Sequence, residues 1–296
     1  MAPARRRRCP IDPARSTADA PSPARRPSLL PRIGSAALLL AAVLAALIAG
    51  SVWAYAATAV LLGAALFEYR QLTRALQAPA PWWLLFPLSY ALLLRDRWPA
   101  PVDLALLLAA ATVIGLAAMV FLRDWSQSFF RWALAIGGSL YLGFLLSYYL
   151  ALYFLHQPDP NHLGFGTVIF TLGAVFVGDT AALLAGTRFG RHPFFPRISP
   201  KKTVEGAVAE VIASMLLFGL FSPLVNIWFP HNLILGLLIG IVAQVGDLVE
   251  SQLKRAAGVK DASRWIPGHG GILDRIDSVL LVGVVVFYYL RAFHLG

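Results

Sequence analysis

Long apolar segments alternate with short polar ones along almost the whole chain. Residues 33–67 are apolar throughout and are long enough for two short membrane spans, with a break at Gly50 and Ser51. Several later segments reach the roughly 18 residues of a transmembrane candidate, and a shorter one opens with two tryptophans. These later apolar segments are 82–94, 102–122, 132–155, 164–185, 206–229, 233–249 and 278–293. The pattern predicts an all-α polytopic integral membrane protein with about nine transmembrane helices.

The composition agrees, because 58% of the 296 residues are hydrophobic and only 14% are charged. A soluble domain of this length carries more charge. Cytoplasmic loops of membrane proteins are enriched in Lys and Arg, so these residues also predict the orientation. With the N-terminus in the cytoplasm, the nine spans place 22 of the 25 Lys and Arg residues on the cytoplasmic side. We therefore expect a multi-pass protein of the inner membrane whose cytoplasmic connections are 68–81, 123–131, 186–205 and 250–277.

The first 32 residues form a segment of their own, with eight Arg, two Asp and many Pro, Ala and Ser residues. This composition predicts a disordered basic tail. On a membrane protein such a tail orients the chain and contacts the lipid bilayer, and we expect no nucleic-acid partner. A cleavable targeting segment is the alternative to a tail that stays in the cytoplasm. Two further regions follow, N-terminal transmembrane helices over 33–163 and a C-terminal catalytic transmembrane domain over 164–296.

The polar segment 251–277 concentrates the residue types of a phosphoryl-transfer site. It combines acids that bind a hard metal, bases that bind phosphate and glycines that let the backbone approach a ligand. Asp247, Ser251 and Lys254 are spaced i, i+4 and i+7, which predicts that they share one helix face. The charged residues within the segment are Lys254, Arg255, Lys260, Asp261, Arg264, Asp274, Arg275 and Asp277.

The best metal candidates are Asp247, Asp274 and Asp277, because Mg²⁺ prefers oxygen ligands and completes its shell with substrate phosphate oxygens. Asp274 and Asp277 are three residues apart, on one face of a predicted helix. The alternative is a set of salt bridges in which these acids pair with Arg255 and Arg275. His269 lies among glycines and is either a base or a turn residue.

A second basic segment precedes the span at 206–229. Ser199, Lys201, Lys202, Thr203 and Glu205 have the pattern of a helix start, with Thr203 as the cap, and such a start favours an anion. All four lysines of the chain lie in this segment or in 251–277. The alternative is an ordinary positive-inside loop. Asp179 lies inside the span 164–185, where a buried acid predicts a functional site unless it is simply hydrogen-bonded near the interface.

The motifs S-Q-L-K-R, K-D and P-G-H-G-G-I-L-D-R-I-D, at their spacing within 251–277, resemble those of the phosphatidate cytidylyltransferase (CDP-diacylglycerol synthase) family. S-P-K-K-T-V-E-G at 199–206 is similar to a second loop of that family. The resemblance covers roughly residue 164 to the C-terminus. It implies cytidylyl transfer from CTP to phosphatidic acid, which gives CDP-diacylglycerol and pyrophosphate for phospholipid biosynthesis. It also implies Mg²⁺ with a second cation such as K⁺, and a homodimer is expected.

The resemblance further assigns roles to residues of this chain. Asp247 and Asp274 would hold Mg²⁺, with Asp277 and Asp261 as further ligands or as their supports. Lysines 201, 202, 254 and 260 together with Arg255 would bind the triphosphate and the lipid phosphate. The expected catalytic residues are Asp247, Lys254, Arg255, Lys260, Asp261, His269, Asp274, Arg275 and Asp277. The expected substrate-binding residues are Asp179, Ser199, Lys201, Lys202, Thr203, Glu205 and Ser251.

Two other functions are compatible with parts of the pattern. A CTP-dependent lipid or polyprenol kinase, or a related lipid cytidylyltransferase, would use the same charged segments, and a kinase would release CDP instead of pyrophosphate. A cation-coupled transporter would use the intramembrane acids Asp179, Glu210 and Asp247. Transporters often contain repeated halves and broken helices, whereas the charges of this chain concentrate in two segments.

Overall fold

The computed structural model describes residues 41–98, 103–121, 125–155, 163–260, 263 and 271–295. Most of them are helical. Residues 41–48 are helical as well, ahead of the break at Gly50. The helices that follow are α1 (Ser51–Ala75), α2 (Trp82–Leu93), α3 (Leu104–Val120), α4 (Trp125–Gly138), α5 (Leu145–Tyr153), α6 (Leu163–Phe189), α7 (Val204–Phe221), α8 (His231–Ala256) and α9 (Leu273–Phe293).

Six helical segments of the described chain are long and apolar enough to cross a membrane. They are α1, the continuous segment Gln127–Tyr153, α6, Val204–Val225, α8 and α9. The segment Gln127–Tyr153 joins α4 to α5 through the π-helical turn Ser139–Phe144. The helices α2 and α3 are apolar but shorter. The chain is therefore a multi-pass membrane protein, and the count of nine spans stays a prediction.

Local sequence signals explain where several helices begin. Gly50 precedes α1 with a φ of 106°, a left-handed conformation that glycine adopts without steric cost. Asp103 caps α3, because its carboxylate accepts a hydrogen bond from the Leu106 amide at 2.8 Å. Thr203 caps α7 in the same way, accepting from the Gly206 amide at 3.2 Å. The predicted cap at Thr203 is confirmed.

All four predicted cytoplasmic connections differ from the structure. In the last of them, 250–277, α8 continues to Ala256 and α9 begins at Leu273. The polar connection 68–81 was wrong in its first half, because α1 continues through Glu68 to Ala75. The polar loop 123–131 was also wrong in part, since α4 begins at Trp125. The basic connection 186–205 is not a plain loop. It contains the end of α6 and an antiparallel hairpin of β1 (Pro193–Phe195) and β2 (Ser199–Thr203). In each case regular structure extends beyond the apolar segment that the sequence pattern marks.

The C-terminal helices pack in sequence order, α6 against α7, α7 against α8, and α8 against α9. The helix α5 connects this group to the N-terminal helices through contacts with α6 and α9. A single set of buried apolar side chains extends from α1 to α9. The site described below lies where β2, α8 and the start of α9 meet, and α1 reaches it from the other half of the chain.

Candidate active site

One helix supplies most of the charged side chains of the site. Asp247, Glu250, Ser251 and Lys254 all lie on α8, which extends to Ala256 and confirms their predicted helical spacing. Gly246 lies directly against the backbone of α9 at Asp277, where a Cβ atom would collide with the Asp277 carbonyl. This close approach brings Asp247 near Asp277, and the two carboxylates interact electrostatically.

Lys254 bridges two carboxylates from different helices. Its ammonium donates to Asp274 Oδ1 at 2.5 Å and also forms an ion pair with Glu250, one helical turn away. The other oxygen of Asp274 accepts from the Gly271 amide at 2.7 Å. The side chain of Glu250 is fully buried, and those of Lys254 and Asp274 are 12% and 11% exposed. Lys254 therefore locks the end of α8 to the start of α9.

A second lysine makes a parallel bridge. Lys202, on β2, forms an ion pair with Asp247 Oδ2, and Ser251 donates to Asp247 Oδ1 at 3.2 Å. The side chains of Lys202 and Asp247 are 24% and 29% exposed, so this pair is more accessible than the Lys254 bridge. Salt bridges are thus present in the site, and those of Asp247 and Asp274 include Lys202 and Lys254.

Asp179 and Glu210 extend the group of charges toward α6 and α7. Asp179 is exposed on α6 and interacts electrostatically with Asp247, Lys202 and Arg275. Glu210 is buried on α7 and interacts with Asp179, Lys202 and Asp247. These two acids thus belong to the same charged region as the α8 residues.

The hairpin residues have different roles. Lys201 and Ser199 lie on β2, with Lys201 exposed. Glu205 does not face the α8 residues, because its carboxylate accepts from the amides of Arg191 and His192 and contacts the His192 ring at 2.7 Å. Arg255 donates to the Ile198 carbonyl at 3.3 Å, which ties the hairpin to α8.

The remaining predicted site residues are Lys260, Asp261 and His269. Lys260 is exposed after the end of α8. Asp261 and His269 lie outside the described residues, so their predicted roles stay predictions. The helical face shared by Asp274 and Asp277 is confirmed, since both lie on the first turns of α9.

The predicted metal ligands, Asp247, Asp274 and Asp277, all lie in this group of charges. Within the described parts of the chain, no three His, Cys, Asp or Glu side chains converge as a metal-binding group. Mg²⁺ does not require three, because it is commonly bound through one or two carboxylates plus substrate phosphates. Asp247 and Asp277 are a neighbouring pair of that kind. Both oxygens of Asp247 contact Lys202 and Ser251, and both oxygens of Asp274 contact Lys254 and Gly271, so the predicted role of Asp274 as a ligand stays a prediction.

Glu68 is a site residue that the sequence did not predict. It lies on α1, is fully buried, and accepts hydrogen bonds from Ser263 and from the first amides of α9. The signal available in the sequence was an acid directly after an apolar segment. That signal equally fits a polar loop, and we predicted a loop.

An apolar groove opens beside the charged residues. Its volume is about 490 Å³, and Gln244 is the one polar side chain among the residues that line it. Leu248, beside Asp247, and Val204, two residues after Lys202, form part of the lining. The full lining is Phe194, Phe195, Val204, Ala207, Val208, Val211, Ile212, Ile241, Gln244, Val245 and Leu248.

Comparison with known proteins shows the family to which the chain belongs. The model of the cytidylyltransferase family matches residues 30–293. The chain belongs to the cytidylyltransferase family. The chain is 36% identical over 223 residues to the uncharacterized protein YnbB of Escherichia coli K12, and the match covers 71% of each chain.

Relatives with a named activity match over shorter stretches. The chain is 40% identical over 141 residues to the phosphatidate cytidylyltransferase of Staphylococcus saprophyticus, and the match covers 45% of the chain and 52% of the relative. It is 34% identical over 192 residues to the phosphatidate cytidylyltransferase of Brucella suis, covering 64% and 67%. The match thus spans about half the length of the staphylococcal relative.

Proposed function

We propose that this cytidylyltransferase transfers the cytidylyl group of CTP to phosphatidic acid and releases pyrophosphate. The observation that carries the proposal is the pair of lysine bridges, Lys202 to Asp247 and Lys254 to Asp274, which place phosphate-binding cations beside acids. Relatives that share this family are named for the same activity.

The reaction requires little covalent chemistry from the protein. A phosphate oxygen of phosphatidic acid attacks the α-phosphorus of CTP, and the bond from that phosphorus to the oxygen bridging to the β-phosphate breaks. An ionised phosphate is already a nucleophile, so no general base is needed. Catalysis then consists of positioning the two phosphates and balancing their charge. Lys202 and Lys254 are placed to bind phosphate oxygens, with the exposed Lys201 at the edge of the site.

The proposal includes Mg²⁺, whose chemistry matches the carboxylate oxygens of the site. Asp247 and Asp277, the neighbouring carboxylates of α8 and α9, are the residues that would hold the ion. When bound, the ion neutralises charge on the phosphate oxygens of CTP. Asp274 instead keeps Lys254 in place through its 2.5 Å contact. A second cation such as K⁺, and a homodimer, stay predictions.

The apolar groove is suited to the acyl chains of phosphatidic acid. It lies between the hairpin, α7 and α8, and its wall at Leu248 adjoins Asp247 and the Lys202 bridge. An occupant with one anionic end and a long apolar end matches this combination of a cationic edge and an apolar wall. We therefore propose that the lipid phosphate meets the lysines while its chains occupy the groove.

Filling the groove is expected to weaken binding of the lipid and not of the nucleotide. Val208 lines the groove and is 52% exposed, so Val208→Trp adds an indole without disturbing a buried core. We expect about a tenfold higher KM for long-chain phosphatidic acid, the scale of one or two lost methylene contacts, with the KM for CTP unchanged. Leu216→Trp, on α7 outside the groove, is the matched control. Equal effects of the two substitutions would contradict the assignment.

We also propose that the site faces the cytoplasm from the inner membrane of a bacterial cell, with nine spans and a cytoplasmic N-terminus. The distribution of 22 of 25 basic residues on one side of the predicted topology supports this orientation. The supply of CTP from the cytosol supports it as well. Six long apolar helices, two shorter ones and the helical residues 41–48 are compatible with that count.

Pyrophosphate release by the purified protein in detergent tests the function. We expect pyrophosphate release that requires phosphatidic acid, CTP and Mg²⁺ together. The rate of release should fall at least about 100-fold in Asp274→Ala, which removes one of the two carboxylates that contact Lys254. Mass spectrometry of the lipid product separates the alternatives. CDP-diacylglycerol supports the proposal, whereas a phosphorylated lipid with free CDP would show a kinase. No turnover with folded protein would overturn the proposal.

A further inference from the structure

Glu68 makes an unusual set of contacts for a residue of a membrane helix. Its Oε1 accepts from Ser263 Oγ at 2.6 Å and from the Ile272 amide at 3.0 Å, and its Oε2 accepts from the Leu273 amide at 2.7 Å. Gly271 packs so closely that a Cβ atom there would collide with the carboxylate. The carboxylate is therefore enclosed by the chain that leads into α9.

A fully buried carboxylate is costly unless its hydrogen bonds are made, and here three donors make them. The two amide donors belong to the start of α9, where the helix dipole also favours negative charge. The neighbours of Glu68 on its own helix, Leu62, Ala65, Leu66 and Leu72, are buried and apolar. Packing within α1 does not require a charge at Glu68, since these neighbours are apolar. The role of the carboxylate therefore concerns the segment to which it is hydrogen-bonded.

That segment leads directly to the site. The Gly271 amide, next to the amides held by Glu68, donates to Asp274, and Asp274 accepts from Lys254. Ser263, the third donor, precedes Gly271 by eight residues, so Glu68 holds the chain at two points ahead of α9. Hydrogen bonds and the short backbone segment between them thus connect Glu68 on α1, through the start of α9, with the ammonium of Lys254.

We propose that Glu68 is a positioning residue for cytidylyl transfer. It fixes the first turn of α9 and thereby sets where Asp274 and Lys254 stand relative to the substrate phosphates. The proposal rests on the proposed function and extends it, because it assigns a catalytic purpose to the N-terminal half of the chain. Misplacing a phosphate-binding group by about 1 Å lowers turnover by roughly 100-fold, so the effect is measurable.

The test is Glu68→Gln in the full-length protein, with Glu68→Asp as the variant that keeps the charge. The amide of Gln directs an N–H group at backbone N–H donors, so it cannot satisfy all three. We expect kcat to fall about 10- to 100-fold with the KM for CTP changed less than threefold, and partial recovery of kcat in Glu68→Asp. Asp103→Asn, the same change at the exposed cap of α3, is the matched control and should keep wild-type kcat.

Amide hydrogen exchange gives a readout that does not depend on activity. In Glu68→Gln the amides of Ile272 and Leu273 should exchange at least about tenfold faster, while those in the middle of α9 stay protected. Ser263→Ala, which removes one of the three donors, serves if Glu68→Gln does not fold, and a several-fold loss of kcat is expected.

The outcomes separate this proposal from the proposed function. A wild-type kcat in folded Glu68→Gln overturns the positioning role. Where Glu68→Gln does not fold, a wild-type kcat in folded Ser263→Ala overturns it. If the wild type releases no pyrophosphate, the proposed function fails by itself. Unchanged exchange at Ile272 and Leu273 would then overturn the hold of Glu68 on α9 as well.

Discussion

Replacing Lys254 by Met is expected to abolish pyrophosphate release and to lower the free energy of unfolding by about 3 to 5 kcal/mol. Lys254 is nearly buried between the fully buried Glu250 and Asp274. Removing the ammonium takes from the buried Glu250 and Asp274 the cation that they share, which is far more costly than losing an exposed salt bridge. The thermal midpoint in detergent and the rate of pyrophosphate release measure the two effects separately.

A double substitution shows which effect belongs to stability and which to catalysis. Glu250→Gln in the Lys254→Met background removes the buried charge that had lost its partner, so most of the thermal midpoint should return. Activity should not return, because the phosphate-binding cation is still missing. Recovery of turnover in the double variant would mean that Lys254 serves the fold alone, and Lys254 would then leave the proposed site.

Asp247→Asn is expected to have the opposite balance, with a loss of turnover of about 100- to 1,000-fold and little change in stability. Asp247 is 29% exposed, and its ion pair with Lys202 joins a strand to a helix at an accessible surface. Such pairs contribute about 1 kcal/mol or less to folding. The carboxylate is instead placed beside Asp277, where the proposed Mg²⁺ and the phosphates of CTP would meet. Steady-state kinetics and the thermal midpoint in detergent check both statements.

The matched control for Asp247→Asn is Asp96→Asn. Asp96 also pairs with a basic neighbour, Arg95, at 3.5 Å and is half exposed, but it lies in the connection after α2. Full activity in Asp96→Asn beside a strong loss in Asp247→Asn would tie the effect to the site. More than about a third of wild-type turnover in Asp247→Asn would contradict its assignment.

The sequence predicted the parts of the site that depend on short separations. Asp247, Ser251 and Lys254 share a helix face because helical geometry repeats within a few residues, and Thr203 caps α7 because its hydroxyl reaches an amide three residues later. The long apolar helices follow from the same local logic, since a span through lipid must be continuous and apolar.

Contacts between residues that are far apart in the sequence could not be predicted from such short separations. Lys202 and Asp247 are separated in the sequence by all of α7 and most of α8. The spacing of residues predicted a metal ion at Asp247 and did not predict its ion pair with Lys202. Lys254 lies four residues after Glu250 on α8, and this spacing gives no sign of its bridge to Asp274 on α9. Glu68 was the largest miss, because an acid after an apolar segment resembles a loop until its partners 195 to 205 residues away are known.

The contact between Glu68 and α9 can form only late in the synthesis of the chain. Leu273 is made 205 residues after Glu68, which corresponds to about 10 to 40 s of translation. Throughout that interval α1 carries a carboxylate whose backbone donors do not yet exist. The start of α9 supplies these donors, so a chain that ends before Ile272 leaves the Glu68 carboxylate without two of the three hydrogen bonds that it accepts in the fold.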